Sequence, residues 1–360
     1  MKQQSANDPA IAVARSRSEV EATGPAGDRG MARPAASSSP RRILVVGIPV
    51  AILAGLTLPV QARINGELSI RLGDGMFAGL ISFVASLLIM GAAMLCTAAG
   101  RTAFRSLVAG TRERAIPWYY HAAGAGGAYF VLGMTYFSVA VGLAVYTVAV
   151  VTGQTLGGLV VDRLGLGPGG KRRITLVRVF GVMLTVVAVS YAVSPRISGT
   201  HEPLTLLLPV SLVILAGFLV SFQHAVNGTL AVHVRSPLPG TLVNYAVGAT
   251  FLVLAWLIKF SVDYRMPSLP AEPWLYLAGV LGCLNLLMSA VLLRHIGILL
   301  TWLSMIAGQL IGSLLLDWVL PVPGSVIYLE TLLGTGLTLV AIVIAALPGS
   351  GSRRVRVRRA

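Results

Sequence analysis

Residues 55–68, GLTLPVQARINGEL, follow an unbroken apolar run and yet place four polar side chains within seven positions. Residues 217–230, GFLVSFQHAVNGTL, repeat this stretch 162 positions later and retain its glutamine, asparagine and glycines. A second pair, GQTLGGLVVD at 153–162 and GQLIGSLLLD at 308–317, lies 155 positions apart. The chain therefore contains an internal duplication. The change in offset from 162 to 155 indicates that the loop between the two repeated stretches differs in length between the halves.

The composition of the 360 residues indicates that most of the chain is surrounded by lipid. Hydrophobic residues make up 55% of it and charged residues only 11%, whereas a soluble domain carries about a quarter charged residues. The net charge of +15 would suit a nucleic-acid binder. The basic residues fall between apolar runs, however, as in the cytoplasmic loops of membrane proteins. We therefore expect a protein of the lipid bilayer that binds no nucleic acid.

Ten apolar runs are long enough to cross a membrane as helices, since a spanning helix needs about 20 apolar residues. The first half contains runs at 43–62, 76–99, 117–139, 142–161 and 174–193. The second half contains runs at 204–223, 239–259, 273–293, 296–316 and 326–347. Two homologous halves with an odd number of spans must cross in opposite senses. The predicted fold is an all-α integral membrane protein with ten transmembrane helices, arranged as two inverted five-helix repeats.

The basic residues predict the orientation of these spans. If both termini face the cytoplasm, 22 of the 28 lysines and arginines lie on the inner side, as the positive-inside rule requires. Residues 1–42 are then a disordered basic cytoplasmic tail, and 349–360 form a second basic cytoplasmic tail. The two repeats occupy 43–195 and 196–348.

Chemistry other than transport has little support in the sequence. Cys96 and Cys283 lie inside apolar runs without partners at metal-ligand spacing. The sequence contains no nucleophile–base–acid set and no phosphate-binding loop. We expect no enzyme activity, no cofactor and no metal site.

Five-plus-five helices with cytoplasmic termini resemble the drug/metabolite transporter superfamily. Within it, PVQARINGEL at 59–68, followed by SF at 82–83, looks like the YdcZ-type family of bacterial inner-membrane exporters. The resemblance covers roughly residues 43–347 and is to a fused, double-length form. It implies a secondary carrier of the bacterial inner membrane that exports a small molecule, as a monomer or homodimer. Inverted halves suit alternating access but also occur in channels, so a passive pore or lipid-handling protein is the alternative.

Two amide pairs stand out as candidate site residues. Gln61 and Asn65 are four residues apart and share one face of a helix, and Gln223 and Asn227 repeat the spacing. One interpretation is that the amides cap the helix end and tie it to a neighbouring helix. The other is that they contact a neutral or zwitterionic ligand, with one pair near each mouth of the transporter.

Gln154 and Gln309 lie near the middle of the fourth and ninth spans, where an amide without a partner is costly. Each belongs to a GxxxG motif, so helix packing is the alternative to a role in binding. We predict that these two glutamines form the centre of the binding site. Further candidates are the matched pair Ser82 and Asn244, together with Asn285, Tyr146 and Trp302.

Charged residues are expected to have structural roles. No acid occurs within 43–62, so we do not expect the proton-coupled export of cationic drugs that small multidrug relatives perform with an acid in the first span. Glu67 is expected to pair with the arginines one turn away. The matched Asp162 and Asp317 are expected to terminate helices or pair with loop arginines. Coupling through Glu67, through a histidine such as His224 or His121, or through neither stays open.

Overall fold

The computed structural model of the protein describes residues 40–346 with several gaps. Residues 115, 168–169, 172–173, 199–203, 264–265, 297 and 322–327 are not described, nor are the side chains of 40–44, 118, 196–198, 204–205, 263, 290, 293–294, 298–299 and 346. The predicted tails at 1–42 and 349–360 therefore lie outside the described residues, except that 40–42 begin the first helix.

The described part of the chain contains eleven α-helices, two short 3₁₀ helices and no strand. The α-helices are α1 (Pro40–Leu72), α2 (Gly75–Cys96), α3 (Ala98–Arg112), α4 (Ala123–Ala140), α5 (Leu143–Leu164), α6 (Leu176–Ser198), α7 (Leu204–His233), α8 (Leu238–Asp263), α9 (Ala278–Ile296), α10 (Ile298–Val319) and α11 (Leu329–Ala346). The 3₁₀ helices are Trp118–Tyr120 and Pro273–Tyr276. Each of the ten predicted spans overlaps one of the α-helices, and α3 is additional.

Seven of these helices are long and apolar enough to cross a membrane, namely α1, α2, α5, α6, α7, α8 and α10. The remaining helices on predicted spans, α4, α9 and α11, have 18, 19 and 18 residues. At about 1.5 Å per residue, 18 residues reach about 27 Å, slightly less than the roughly 30 Å hydrocarbon layer. The described part of the chain is thus a helical bundle with several helices that can span a membrane, and the number of ten spanning helices stays a prediction.

The helices of the two halves interleave, and α1 and α7 run in opposite directions. Thr229 of α7 donates to the carbonyl two residues beyond α5, at 2.7 Å, so α5 and α7 end together. Arg63 of α1 donates to the carbonyl that follows α10, so α1 and α10 lie parallel. Asp317 of α10 accepts from a backbone N–H in the first turn of α5, at 2.7 Å, so α5 begins where α10 ends. We name the two ends of the bundle the Leu72 end and the His233 end, after the last residues of α1 and α7.

Close backbone contacts in one half recur at the matched positions of the other. A Cβ atom added to Gly153 of α5 would lie 1.9 Å from the carbonyl oxygen of Ile214 in α7. A Cβ atom added to Gly308 of α10 would lie 1.9 Å from the carbonyl oxygen of Ile52 in α1. Gly153 and Gly308 are 155 positions apart, and Ile52 and Ile214 are 162 positions apart. These are the two offsets of the sequence repeat. Both GxxxG stretches therefore act in close helix packing.

The first helix does not end at residue 62, as the sequence predicted, but continues to Leu72. Pro59 lies inside it and removes only one backbone donor. The helix continues because a backbone surrounded by lipid and other helices finds its hydrogen bonds only in its own next turn. The prediction that Gln61 and Asn65 cap the end of a helix is therefore wrong. α7 likewise continues beyond residue 223, its predicted limit, to His233.

The amphipathic helix α3 was not predicted. Its buried residues are Gly100, Ala103 and Leu107, whereas Phe104 and Val108 are 41% and 50% exposed. Exposed apolar side chains among arginines are typical of a helix that lies in the membrane interface. Because α2 starts next to the end of α1, α3 lies at the opposite, His233 end of the bundle.

Candidate functional site

A cavity of about 130 Å³ lies in the middle of the bundle, where helices of both halves meet. Eight of the nine principal candidate residues line it, namely Gln61, Ser82, Gln154, Gln223, Asn227, Asn244, Asn285 and Gln309. Gln61 and Gln223, the glutamines of the two amide pairs, thus face one central space. The sequence had instead indicated two separate mouths. Their contact with a substrate stays a prediction.

Gln61 lines this cavity and carries a buried hydrogen-bond acceptor without a partner among the described residues. Its side chain is only 6% exposed, and its Oε1 atom has no hydrogen-bond partner among the described residues. Gly282 of α9 makes room for it, since a Cβ atom there would lie 3.2 Å from Gln61 Nε2 and 3.3 Å from the hydroxyl of Tyr245. A buried amide oxygen without a partner is costly, so a hydrogen-bond donor that reached this atom would stabilise the protein.

Gln223 has the matched surroundings in the other half. It faces Gly127 of α4, where a Cβ atom would lie 2.5 Å from Gln223 Nε2. Gly127 precedes Gly282 by 155 positions, which is an offset of the repeat. The two glycines leave space for the two glutamines, and the repeat register contained this signal, although sequence reasoning did not use it.

Asn65 and Asn227 tie neighbouring helices together. The Ser82 hydroxyl of α2 donates to Asn65 Oδ1, and Asn65 is fully buried. At the matched positions, Asn244 Nδ2 of α8 donates to Asn227 Oδ1 at 2.6 Å. The predicted tie to a neighbouring helix is therefore confirmed for the asparagine of each pair. Asn65 lies behind the cavity wall, whereas Asn227 also lines the cavity.

The remaining candidates differ in their surroundings. Asn285 lines the cavity and donates to Thr57 Oγ1 at 2.9 Å, which ties α9 to α1. Trp302 also lines it, with its ring 4.9 Å from that of His224. Tyr146 does not lie on the cavity wall but is buried in the hydrophobic core. Tyr146 is therefore not a lining residue in this state of the protein.

Towards the His233 end, the central cavity continues into a wider one of about 470 Å³. Both are lined by Gln154 and His224, among others. The wide cavity carries an ion pair between Arg178 and Asp162 at 2.6 Å. The predicted pairing of Asp162 with an arginine is confirmed, although its partner lies in the first turn of α6 and not in a loop. The matched Asp317 binds the N-terminus of α5.

Towards the Leu72 end, the helices pack closely and charged side chains connect them. Leu68 of α1 is fully buried. One turn further, Arg71 pairs with Glu67 at 2.8 Å and with Glu272, so the predicted pairing of Glu67 is confirmed. A hydrogen bond from its own backbone and one from Arg71 hold the pKa of Glu272 below its ordinary value. We call Glu67, Arg71 and Glu272 the Leu72-end bridge.

A second polar cluster at this end was missed by the sequence analysis. Asp74 caps α2 by accepting from the backbone N–H groups of Met76 and Phe77, at 3.0 and 3.1 Å. It also pairs with Lys259 at 2.9 Å and accepts from the indole of Trp256 at 3.2 Å. Asp74 directly follows a glycine and precedes an apolar run, which is a helix-start signal. Its contacts with α8 depend on tertiary packing.

The two ends of the bundle differ, although contacts elsewhere recur. α1 packs against α4, and a Cβ atom on Gly66 would lie 2.9 Å from the side chain of Val139. The matched Gly228 of α7 instead lines the wide cavity. Within the described part of the chain, α7 makes almost no contact with α9, the helix that matches α4. The helices α1 and α4 are therefore in contact at the Leu72 end, whereas α7 and α9 are separated at the His233 end, where the wide cavity lies.

A family model with the description "Putative inner membrane exporter, YdcZ" matches the chain over residues 46–191 and 208–344. The two segments together cover more than half of the chain, and they fall on the two predicted repeats. The match confirms the resemblance carried by PVQARINGEL and is consistent with a double-length form. No curated protein matches the chain closely enough to count as a relative.

Proposed function

Because the chain belongs to the YdcZ family of inner membrane exporters, we propose that it is a secondary carrier that exports a small molecule from a bacterial cell by alternating access. The observation that carries this proposal is the central cavity lined by amides. It continues into a wide cavity at the His233 end, while close packing covers it at the Leu72 end. Access from one side only is what a carrier has in each of its two states.

The proposal includes two inverted repeats and ten spanning helices. The matched contacts of Gly153 and Gly308 support the repeat, as do the matched bonds of Asn65 and Asn227. The opposite directions of α1 and α7 support the inversion. The three short helices each reach about 27 Å or more at about 1.5 Å per residue, so modest thinning of the bilayer would let them span it.

The second state of the carrier follows from the same repeat. α7 would close onto α9 at the His233 end, as α1 is closed onto α4 at the Leu72 end. The Leu72-end bridge would open at the same time. Because the two halves are homologous, the two states use similar contacts and can have similar free energies.

We place the His233 end in the cytoplasm and the Leu72 end outside. Four arginines in or next to α3, namely Arg101, Arg105, Arg112 and Arg114, lie at the His233 end. Cytoplasmic loops favour such residues, and anionic lipids attract them to the membrane surface. In this orientation the described state takes up its substrate from the cytoplasm, as an exporter must.

Counterflow distinguishes a carrier from a passive pore. Purified protein is first screened for metabolites that raise its melting temperature, because a ligand stabilises the state that it binds. Proteoliposomes loaded with the unlabelled ligand should then take up labelled ligand transiently above its equilibrium level, and uptake should saturate. Uptake that is linear in concentration and shows no counterflow would contradict a carrier and favour a pore. Exchange of labelled lipid by the protein would favour the lipid-handling alternative.

Breaking the Leu72-end bridge should open that end more often. In a background with Cys96→Ser and Cys283→Ser, Ser138→Cys reports on this end, since Ser138 lines a small cavity there and is 4% exposed. We expect Arg71→Gln to raise its rate of reaction with a membrane-impermeant maleimide by about twofold to fivefold, in line with a partly exposed ion pair. Arg105→Gln, at the other end, should leave the rate unchanged.

The pH dependence of the same rate tests the bridge independently. The pKa of Glu272 is lower in the folded protein than its ordinary value, so its carboxylate stabilises the folded protein at neutral pH. This stabilisation is lost only as the pH falls through the lowered pKa. After correction for thiolate content, the rate should therefore stay constant down to about pH 4.5 and rise only below this. A rise already between pH 7 and 6 would contradict the bridge.

A further inference from the structure

The Gln61 amide indicates what kind of group the cavity binds. Its Oε1 atom is buried at the cavity wall without a partner among the described residues. Buried polar groups in folded proteins nearly always have partners. A primary amide offers an acceptor and a donor side by side. The group that complements such an edge is another edge with one donor and one acceptor, as in an amide, a lactam or a ureide.

The charge of the lining excludes ions. None of the described residues that line the central cavity is an aspartate, glutamate, lysine or arginine. The nearest charged lining residues, in the wide cavity, are Arg178 and Asp162, which neutralise each other. An ion that left water for the central cavity would lose its hydration and gain no opposite charge. The ligand is therefore uncharged.

Aromatic rings on the cavity wall favour a flat ligand. Phe83 and Tyr245 meet edge to face on one part of the wall, with ring centroids 5.6 Å apart. Trp302 and His224 form a second such pair. Aromatic side chains on the wall offer apolar surface on which a flat ring can pack. The central cavity of about 130 Å³ continues into the wide one, which leaves room for such a ring.

We propose that the central cavity binds an uncharged, flat molecule through an amide-type edge that pairs with Gln61. This inference rests on the proposed carrier function and defines the substrate class of that site. The rings bind the flat body of the ligand, and the amide edge fixes its orientation. Because the described lining carries no aspartate, glutamate, lysine or arginine, we expect carboxylates and amines of the same shape not to bind.

Three molecules of nearly equal shape test this proposal. Benzamide has a donor and an acceptor on a flat ring, benzoate replaces the amide by a charged carboxylate, and acetophenone keeps only the acceptor. The melting temperature of the purified full chain is measured in detergent with each compound up to 10 mM. We expect a concentration-dependent rise with benzamide and no rise with benzoate or acetophenone. A rise with benzoate that equals or exceeds the rise with benzamide, or no rise with benzamide, would overturn the proposal.

A variant of Gln61 assigns the binding to this site. Gln61→Met keeps the length of the side chain and removes both the donor and the acceptor of its amide. Benzamide should therefore bind about tenfold more weakly, the loss expected for one or two hydrogen bonds. Leu254→Met, on a side chain that is 57% exposed on the outer surface of α8, is the matched control and should bind as the parent does. Unchanged benzamide affinity in Gln61→Met would overturn the role of this residue. A lower stability of the variant does not affect this test, because each melting curve is compared with the ligand-free curve of the same variant.

Failure of this inference is distinguishable from failure of the carrier. If benzamide binds and Gln61→Met weakens it, but no counterflow occurs, the substrate class stands and the carrier mechanism fails. If a charged compound shows counterflow and benzamide raises no melting temperature, the carrier stands and the substrate class fails.

Discussion

Gly153→Ala and Gly308→Ala are each expected to remove most of the correctly folded protein. The added Cβ atom would lie 1.9 Å from a backbone carbonyl oxygen of α7 or α1, far inside van der Waals contact. A backbone cannot rotate away as a flexible side chain can, so the helices must separate. Overpacking of this kind costs about 1–3 kcal/mol or more. The fraction of monodisperse protein after detergent extraction and its melting temperature measure the effect.

The chain supplies matched controls for this result. A Cβ atom at Gly158 of α5 or at Gly336 of α11 would meet no atom within 4 Å. Gly158→Ala and Gly336→Ala should therefore be neutral or slightly stabilising, since alanine favours a helix over glycine by about 1 kcal/mol. Equal tolerance of all four substitutions would contradict the close helix contacts that define the repeat.

The double variant Gln154→Leu/Gln309→Leu is expected to fold but to lose transport. Leucine nearly keeps the volume of glutamine and removes its hydrogen bonds, and both residues line the central cavity. Loss of hydrogen bonds at about 1 kcal/mol each should lower the transport rate at limiting substrate by about tenfold or more. The measurement is initial-rate counterflow of the ligand found by the stability screen.

Folding and transport must be separated in this variant. Its melting temperature without ligand should stay close to that of the parent, whereas the shift caused by the ligand should shrink. Thr250→Val removes a hydroxyl from an exposed position of α8 and serves as the control that should transport normally. Normal counterflow by the double glutamine variant would exclude Gln154 and Gln309 from the site and leave helix packing as their role.

Much of the helical arrangement was predictable, because lipid permits few alternatives. Each predicted span overlaps a helix, since an apolar run of about 20 residues in a bilayer must satisfy its own backbone. The repeat register also aligned Ser82 with Asn244, and these residues bond to Asn65 and Asn227, which the same register aligns. A duplicated sequence preserves such pairs even when the residue type changes.

Other features depend on tertiary packing and could not be predicted. The sequence placed Gln61 and Gln223 at two mouths because it ended their helices too early, at 62 and 223. In the structure α1 and α7 continue for ten further residues each, which brings both glutamines to the centre. The helix α3 was missed because its arginines interrupt the apolar pattern. The contact of Asp74 with Lys259 joins residues far apart in the sequence.

Pulsed electron paramagnetic resonance on two matched pairs of spin labels tests the central claim of alternating access most directly. Ile70 and Ala140 report on the Leu72 end, and Val232 and His295 report on the His233 end, all at exposed positions. Each pair of labels is attached to cysteines introduced into the background with Cys96→Ser and Cys283→Ser. For each pair we predict two distances, and a short Leu72-end distance should accompany a long His233-end distance. Addition of the ligand, or the substitution Arg71→Gln, should change the population of the long distance in opposite directions at the two ends of the bundle. A single unchanging distance at both ends, or simultaneous lengthening at both ends, would contradict alternating access.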